Sequence, residues 1–171
     1  LDARIEMVLK DRPWFKDIPN AHDLTLRMLM RHQSGIPEHI ELEEFQAALR
    51  ADPQKVWKPE ELLAFVGGKP PLFKAGGEFS YADTNYILAG VVVEAVTGRD
   101  VYSQLRERIL VPQDLMDTDP NDRPYLRGLV SGYTKANGIF PVPEIVATNE
   151  TYKCNPQVEW TGGGLVLTAP D

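Results

Sequence analysis

The stretch from Ile87 to Val93 contains no charged residue, and the first ionisable side chain after it is Glu94. Its pattern predicts a helix from about Thr84 to Thr97, with Asp83 as the capping residue and Gly98 at the end. A helix that is apolar on nearly every side packs inside a larger body rather than on its surface. We therefore expect this helix to form the centre of the fold.

The remaining sequence favours short helices joined by turns rich in proline and glycine. Four segments have this helical pattern: Leu24 to His32 with Asp23 as cap, Glu41 to Arg50, Pro59 to Val66, and one that follows Asp100 with Val101, Leu105 and Ile109 on one face. From Tyr125 to Tyr152 the pattern changes to short extended pieces around an Asn137-Gly138 turn. The prediction is a predominantly α-helical chain with short β-hairpin pieces.

Composition narrows the classes of function. With 171 residues, 43% of them hydrophobic and 25% charged, the chain can bury one core of ordinary domain size. Its formal charge of −7 argues against a nucleic-acid-binding surface, which needs a basic face. No run approaches the ~18 apolar residues that a membrane-spanning helix needs. Cys154 is the only cysteine, and the three histidines lack zinc-site spacing, so we expect no disulfide, metal or cofactor.

Tyr81 lies on the loop just before the central helix. A phenol normally holds its proton until pH ~10, so a tyrosine here is either a packing residue or a tuned acid or base. In isolation the packing role is the commoner one, because aromatic residues beside buried helices usually fill cores. The sequence around Tyr81 favours the second interpretation.

Five elements, in the same order, resemble the active-site serine hydrolases related to class C β-lactamases. That family includes D-alanyl-D-alanine carboxypeptidases, D-aminopeptidases and esterases. The matching elements are Leu26-Arg-Met-Leu-Met-Arg-His-Gln-Ser-Gly-Ile-Pro37, Phe79-Ser-Tyr-Ala-Asp-Thr-Asn-Tyr-Ile-Leu-Ala-Gly90, Val96-Thr-Gly98, Leu105-Arg-Glu-Arg-Ile109 with Pro112 to Thr118, and Gly162-Gly-Gly-Leu-Val-Leu-Thr-Ala-Pro-Asp171. The resemblance implies an α/β parent fold, in which a helical region packs on an antiparallel sheet.

The resemblance also implies roles for individual residues. Tyr81 matches the tyrosine that acts as proton shuttle, and Asp83 stands where the family has asparagine. An ionised carboxylate only accepts hydrogen bonds, so Asp83 is expected to pair with a motif lysine, to cap the helix, or to do both. Gly162 and Gly163 form a tight turn beside the site, and His39 lies where the family's loop approaches the acyl pocket. We expect these last three residues to line the substrate.

Two motifs of the family do not occur in this sequence: the nucleophile's Ser-x-x-Lys and the Lys-Thr-Gly or His-x-Gly of a sheet strand. Ser34 is more typical of a turn than of a nucleophile, because no lysine stands three residues after it. Residues 1–171 are therefore interpreted as the central helical region of a longer serine hydrolase, truncated at both ends and inactive alone.

The expected substrate is a small molecule or peptide: a β-lactam, a D-amino-acid peptide or an ester. The resemblance suggests a periplasmic or secreted protein. The alternative is a non-catalytic helical module for interaction or substrate binding, which keeps the fold without the chemistry.

Overall fold

A computed structural model describes residues 1–134 and 145–171. The α-helices are α1 (Glu6–Leu9), α2 (Leu26–Met30), α3 (Glu43–Ala51), α4 (Pro59–Ala64), α5 (Asp83–Thr97) and α6 (Val101–Leu105). Short 3-10 turns occur at Phe15–Asp17, Ala21–Asp23, His39–Glu41, Val111–Gln113 and Pro156–Val158, and a π-helical turn at Arg106–Leu110. The strands are β1 (Asp119–Pro120), β2 (Gly132–Tyr133), β3 (Ile145–Thr148), β4 (Thr151–Tyr152) and β5 (Leu165–Val166).

Helix α5 is the central element of the core, as predicted. Its residues Ile87, Leu88 and Val91 are buried, and the helix contacts α1, α2 and α4. One side of it is less covered than the sequence predicted, since Val96 is 64% exposed. The buried sides of α5 therefore pack against helices of the N-terminal half of the chain.

The glycine-rich segment packs closely on α5. A Cβ atom at Gly90 would lie 2.7 Å from the Trp160 ring and 2.6 Å from Thr161 Oγ1, so only glycine permits this approach. The Thr161 hydroxyl also donates to the carbonyl oxygen of Tyr86 at 2.7 Å. These contacts hold the segment after Trp160 beside the N-terminal half of α5.

Two helix starts test the capping predictions. Helix α2 is capped by Thr25, whose Oγ1 accepts the backbone N–H of Met28 at 3.2 Å. The prediction of Asp23 was wrong because Leu24 is extended and separates the Ala21–Asp23 turn from the helix. Asp100 caps α6 as predicted, accepting the backbone N–H of Ser103 at 2.7 Å.

The face predicted for the helix after Asp100 ends early. The π-helical turn that follows α6 winds more widely than an α-helix. Ile109 is consequently 49% exposed instead of continuing the face of Val101 and Leu105.

The strands form two small antiparallel sheets. Strand β1 pairs with β5, and β3 lies between β2 and β4 with Ala147 opposite Tyr152. The prediction of a mainly helical chain with short β-hairpin pieces is confirmed. The Asn137-Gly138 turn lies outside the described residues. In the described ranges no helix is long and apolar enough to cross a membrane.

Candidate active site

Tyr81 and Asp83 form a hydrogen-bonded pair at the start of α5. The Tyr81 hydroxyl donates to Asp83 Oδ1 at 2.6 Å, and the tyrosine side chain is 60% exposed. The hydrogen bond to Asp83 is the main reason why the pKa of Tyr81 rises to about 12, with burial and the charges of Asp83, Glu38 and Glu159 adding to it. Tyr81 is thus an accessible phenol held in its protonated form.

His32 packs directly on the Tyr81 ring. The two ring centroids are 4.4 Å apart, and Tyr86 and Phe79 lie 5.3 Å and 5.8 Å from the same imidazole. His32 Nδ1 accepts the backbone N–H of Ala82 at 3.2 Å. His32 therefore fixes both the ring of Tyr81 and the backbone that follows it.

Glu38 caps helix α5 from a distant part of the chain. Its carboxylate accepts the backbone N–H of Asp83 and, at 3.1 Å, that of Ile40. Burial acts to raise the pKa of Glu38, but the hydrogen bond and charge of His39 and these N–H donors outweigh it and leave the pKa below its ordinary value. A carboxylate at a helix N-terminus also interacts favourably with the helix dipole.

The prediction that Asp83 caps α5 was wrong. The residue before the helix is Ala82, which makes no side-chain cap, and Asp83 is the first helical residue. Glu38 accepts the backbone N–H of Asp83, and the Asp83 carboxylate accepts the Tyr81 hydroxyl.

His39 is not brought to the exposed group around Tyr81. Its side chain has no exposed surface, and Nε2 lies 2.9 Å from the carbonyl oxygen of Val158. That nitrogen must carry a proton, because a carbonyl only accepts. The other nitrogen, Nδ1, lies 2.8 Å from Glu38 Oε1 and 3.0 Å from Thr84 Oγ1. His39 thus joins the Pro156–Val158 turn to the start of α5 from inside the core.

Gly162 and Gly163 do lie beside the Tyr81–Asp83 pair. A Cβ atom at Gly162 would be 2.8 Å from Asp83 Cβ and 2.8 Å from the carbonyl oxygen of Glu159, and one at Gly163 would collide with the Glu159 carboxylate. The absence of side chains lets this turn lie against Asp83.

Glu159 is a third carboxylate at this site. Burial raises the pKa of Glu159, and the charge of Asp83 raises it further. Among residues 1–134 and 145–171, no lysine or arginine forms an ion pair with Glu38, Asp83 or Glu159. The described part of the chain also contains no cluster of side chains that could hold a metal ion.

Ser34 has a structural role, as expected from its turn sequence. Its hydroxyl is buried, donates to Asn85 Oδ1 at 2.5 Å and accepts the backbone N–H of Ile36 at 2.9 Å. These two bonds hold the Ser34-Gly35 turn against α5. The hydroxyl is therefore inaccessible to a substrate.

Comparison with known proteins identifies the family. A family model described as Beta-lactamase matches residues 1–171. The chain belongs to the beta-lactamase family. This beta-lactamase-family chain is 28% identical over 138 residues to an Escherichia coli (strain K12) protein with the provisional name D-alanyl-D-alanine carboxypeptidase. It is 27% identical over 113 residues to the D-aminopeptidase of Brucella anthropi.

A solved structure confirms the fold. The D-stereospecific amidohydrolase from Streptomyces sp. superimposes with a TM-score of 0.82 and 27% identity. The match covers 99% of this beta-lactamase-family chain and 50% of the amidohydrolase. The two curated alignments cover 72% and 66% of this chain, but 28% and 19% of the relatives. The chain thus spans half or less of the length of these proteins.

Three residues of the site were not assigned from the sequence. His32 lies in the element at residues 26–37 that resembles the family, so its position in that motif could have indicated a role in the site. Glu38 follows the same motif by one residue, yet its contact with Asp83 spans 45 positions. Glu159 gave no signal, since it reaches Asp83 only through the packing of the glycine turn.

Proposed function

We propose that this chain is the central region of a longer serine hydrolase that acts on D-amino-acid amides or peptides. In this proposal it contributes Tyr81 as the proton shuttle, and the nucleophilic serine and motif lysines come from other parts of the protein. The observation that carries the proposal is the exposed Tyr81 hydroxyl, oriented by Asp83 at 2.6 Å and supported by the ring of His32.

The chemistry requires a change in the charge around Tyr81. Within this chain the acceptor Asp83 favours the protonated phenol, with a pKa of about 12. A lysine ammonium that pairs with Asp83 would oppose this effect, because a nearby positive charge favours phenolate. Asp83 is well suited to hold such a lysine, since it carries charge and has no ion-pair partner in the described ranges.

The proposed reaction has two steps. The Tyr81 phenolate takes the proton of the nucleophilic serine as the serine Oγ bonds to the substrate carbonyl carbon. Tyr81 then gives that proton to the leaving nitrogen as the C–N bond breaks. Water then attacks the acyl-enzyme. Tyr81 accepts a proton from this water and delivers it to the serine Oγ as the ester bond breaks.

Two arguments favour D-amino-acid amides and peptides over β-lactams. The relatives are named for D-specific peptidase or amidohydrolase activity. An ionised Asp83 also cannot donate a hydrogen bond to a substrate carbonyl, which the family's asparagine can.

The test compares the full-length protein with residues 1–171 alone. The full-length protein should hydrolyse D-alanine p-nitroanilide and become labelled by a fluorophosphonate at a serine outside residues 1–171. The isolated chain should neither hydrolyse the substrate above buffer nor become labelled. A full-length protein that takes no label and turns over no amide or ester would favour the non-catalytic module, and labelling at Ser34 would refute the assignment of Ser34 as structural.

A further inference from the structure

A cavity of about 190 Å³ lies beside the candidate active site. It is bounded by the β3–β4 hairpin and the Pro156–Val158 turn. Its walls are mainly apolar and include Val146, Tyr152, Cys154 and Val158, while Asn121 and Glu159 supply polar atoms. An apolar cavity of about 150 Å³ is large enough to hold benzene, so this one can hold an amino-acid side chain.

Glu159 connects the cavity to the Tyr81–Asp83 pair. The residue lines the cavity, and its carboxylate lies against Gly163, next to the glycine that packs on Asp83. Its charge acts on Tyr81 as well as on Asp83. A molecule bound in the cavity would therefore contact Glu159, the residue that the cavity shares with the candidate active site.

Glu159 is the one carboxylate among the described residues that line the cavity. An ionised Glu159 can only accept hydrogen bonds, and no lysine or arginine of the described ranges forms an ion pair with it. The Asn121 amide, which also lines the cavity, is hydrogen-bonded to Tyr152. A ligand with an apolar body and a cationic group rich in N–H donors would satisfy the Glu159 carboxylate.

We propose that this cavity is the subsite for the substrate residue that carries a free α-ammonium group, with Glu159 binding the ammonium and the apolar walls taking its side chain. The inference rests on the proposed function, because it supplies the amino-terminal residue whose carbonyl reacts near Tyr81. It specifies the substrate class as amides or peptides of apolar amino acids with an unblocked amine. Burial and the charge of Asp83 both disfavour the ionised form of Glu159. A bound ammonium group would stabilise that ionised form, because a nearby positive charge favours a carboxylate.

The first experiment uses paired substrates with the full-length protein. D-Alanine p-nitroanilide and its N-acetyl derivative present the same leaving group, but only the first has an ammonium. We expect the free amine to be preferred in kcat/KM, and Glu159→Gln to reduce this preference about 10- to 100-fold, the range for a hydrogen bond to a charged group. The ratio of the two substrates cancels a general loss of activity. Glu41→Gln removes the same charge from an exposed position and should leave the preference unchanged.

A binding measurement separates this inference from the proposed function. Calorimetric titration of the full-length protein with D-leucine amide and N-acetyl-D-leucine amide needs no turnover. If Glu159→Gln weakens binding of the free amine at least about 10-fold and leaves the acetylated ligand unaffected, the subsite stands even where hydrolysis is absent. If Glu159→Gln leaves both the binding difference and the kinetic preference intact, the subsite is refuted while the serine hydrolase proposal remains.

A second variant tests the apolar walls without changing a charge. Val146→Phe would place a larger side chain into the cavity. It should weaken binding of D-phenylalanine amide at least about 10-fold more than binding of glycine amide, because only the former needs the apolar space. Equal effects on both ligands would show that the side chain binds elsewhere and would overturn the assignment.

Discussion

The hydroxyl of Tyr81 and the carboxylate of Asp83 lie 2.6 Å apart, with Tyr81 as donor. The backbone N–H of Asp83 donates to Glu38, so both the side chain and the backbone of this residue are hydrogen-bonded at the start of α5. Asp83 is thereby part of the environment of the phenol. Its charge opposes the formation of phenolate unless a cation is brought to it.

Replacement of Asp83 tests this electrostatic relationship. Asp83→Asn replaces the carboxylate whose hydrogen bond is the main cause of the raised pKa of Tyr81 with a neutral amide, and it also removes a negative charge that raises this pKa. The pKa of Tyr81 should therefore fall from about 12 toward the ordinary value near 10. Ultraviolet titration of phenolate, taken as the difference between this variant with and without Tyr81→Phe, measures the shift. An unchanged pKa would show that Asp83 does not control Tyr81.

The contributions of the His32 ring and of its acceptor nitrogen Nδ1 to stability can be measured separately. His32→Asn offers an oxygen near the position of Nδ1 for the buried Ala82 N–H, whereas His32→Phe keeps a ring and leaves that N–H unpaired. Asparagine also tolerates the left-handed backbone at this position, where φ is 54°. We expect His32→Phe to unfold at lower urea concentration, with a free energy of unfolding about 1–3 kcal/mol below that of His32→Asn.

The opposite order of stability would identify ring stacking as the dominant contribution of His32. In the full-length protein, both variants should lower kcat more than the matched substitution His22→Asn. His22 is an exposed histidine that contacts Glu6 and lies outside the candidate site.

Glu38 should give the protein a pH-dependent stability. Its pKa is lower in the folded protein than its ordinary value. The stabilisation is therefore complete above the unfolded pKa of about 4.3 and is lost as the pH falls through the lower folded value. Glu38→Gln should reduce the free energy of unfolding at neutral pH and flatten its decrease below pH ~4.

Urea denaturation across this pH range measures the effect of Glu38. Glu41→Gln, at an exposed position three residues further on, serves as the control and should keep the wild-type profile. A Glu38→Gln protein with the wild-type pH profile would contradict the capping role.

Local sequence signals predicted much of the fold. The uncharged run from Ile87 to Val93 identified the central helix, and Asp100 and Pro59 marked the starts of α6 and α4. Such signals depend on neighbours within a few residues. The prediction that Asp23 caps α2 was wrong because the Ala21–Asp23 turn ends at the extended residue Leu24, before α2 begins. Asp23 and Thr25 are both residue types that cap helices, so residue type alone does not say which of them does so.

The candidate site was predictable only in part. Tyr81, Asp83 and the Gly162-Gly163 turn followed from motifs, and the structure brings these residues together. The burial of His39 and the carboxylates of Glu38 and Glu159 depend on contacts between segments far apart in the chain. His39, for example, reaches Val158 across 119 positions, and no local pattern reports that pairing.

The role of Tyr81 as proton shuttle is measured most directly by the acylation rate of the full-length protein with and without the Tyr81 hydroxyl. Tyr81→Phe keeps the ring on His32 and removes only the oxygen, so thermal stability should change little. Acyl-enzyme formation, followed by mass spectrometry with a D-alanine ester or amide, should slow by roughly 10²–10⁴. Tyr133→Phe, at a position that is 74% exposed, should react at the wild-type rate. A Tyr81→Phe protein that acylates as fast as the wild type would show that Tyr81 does not transfer the proton.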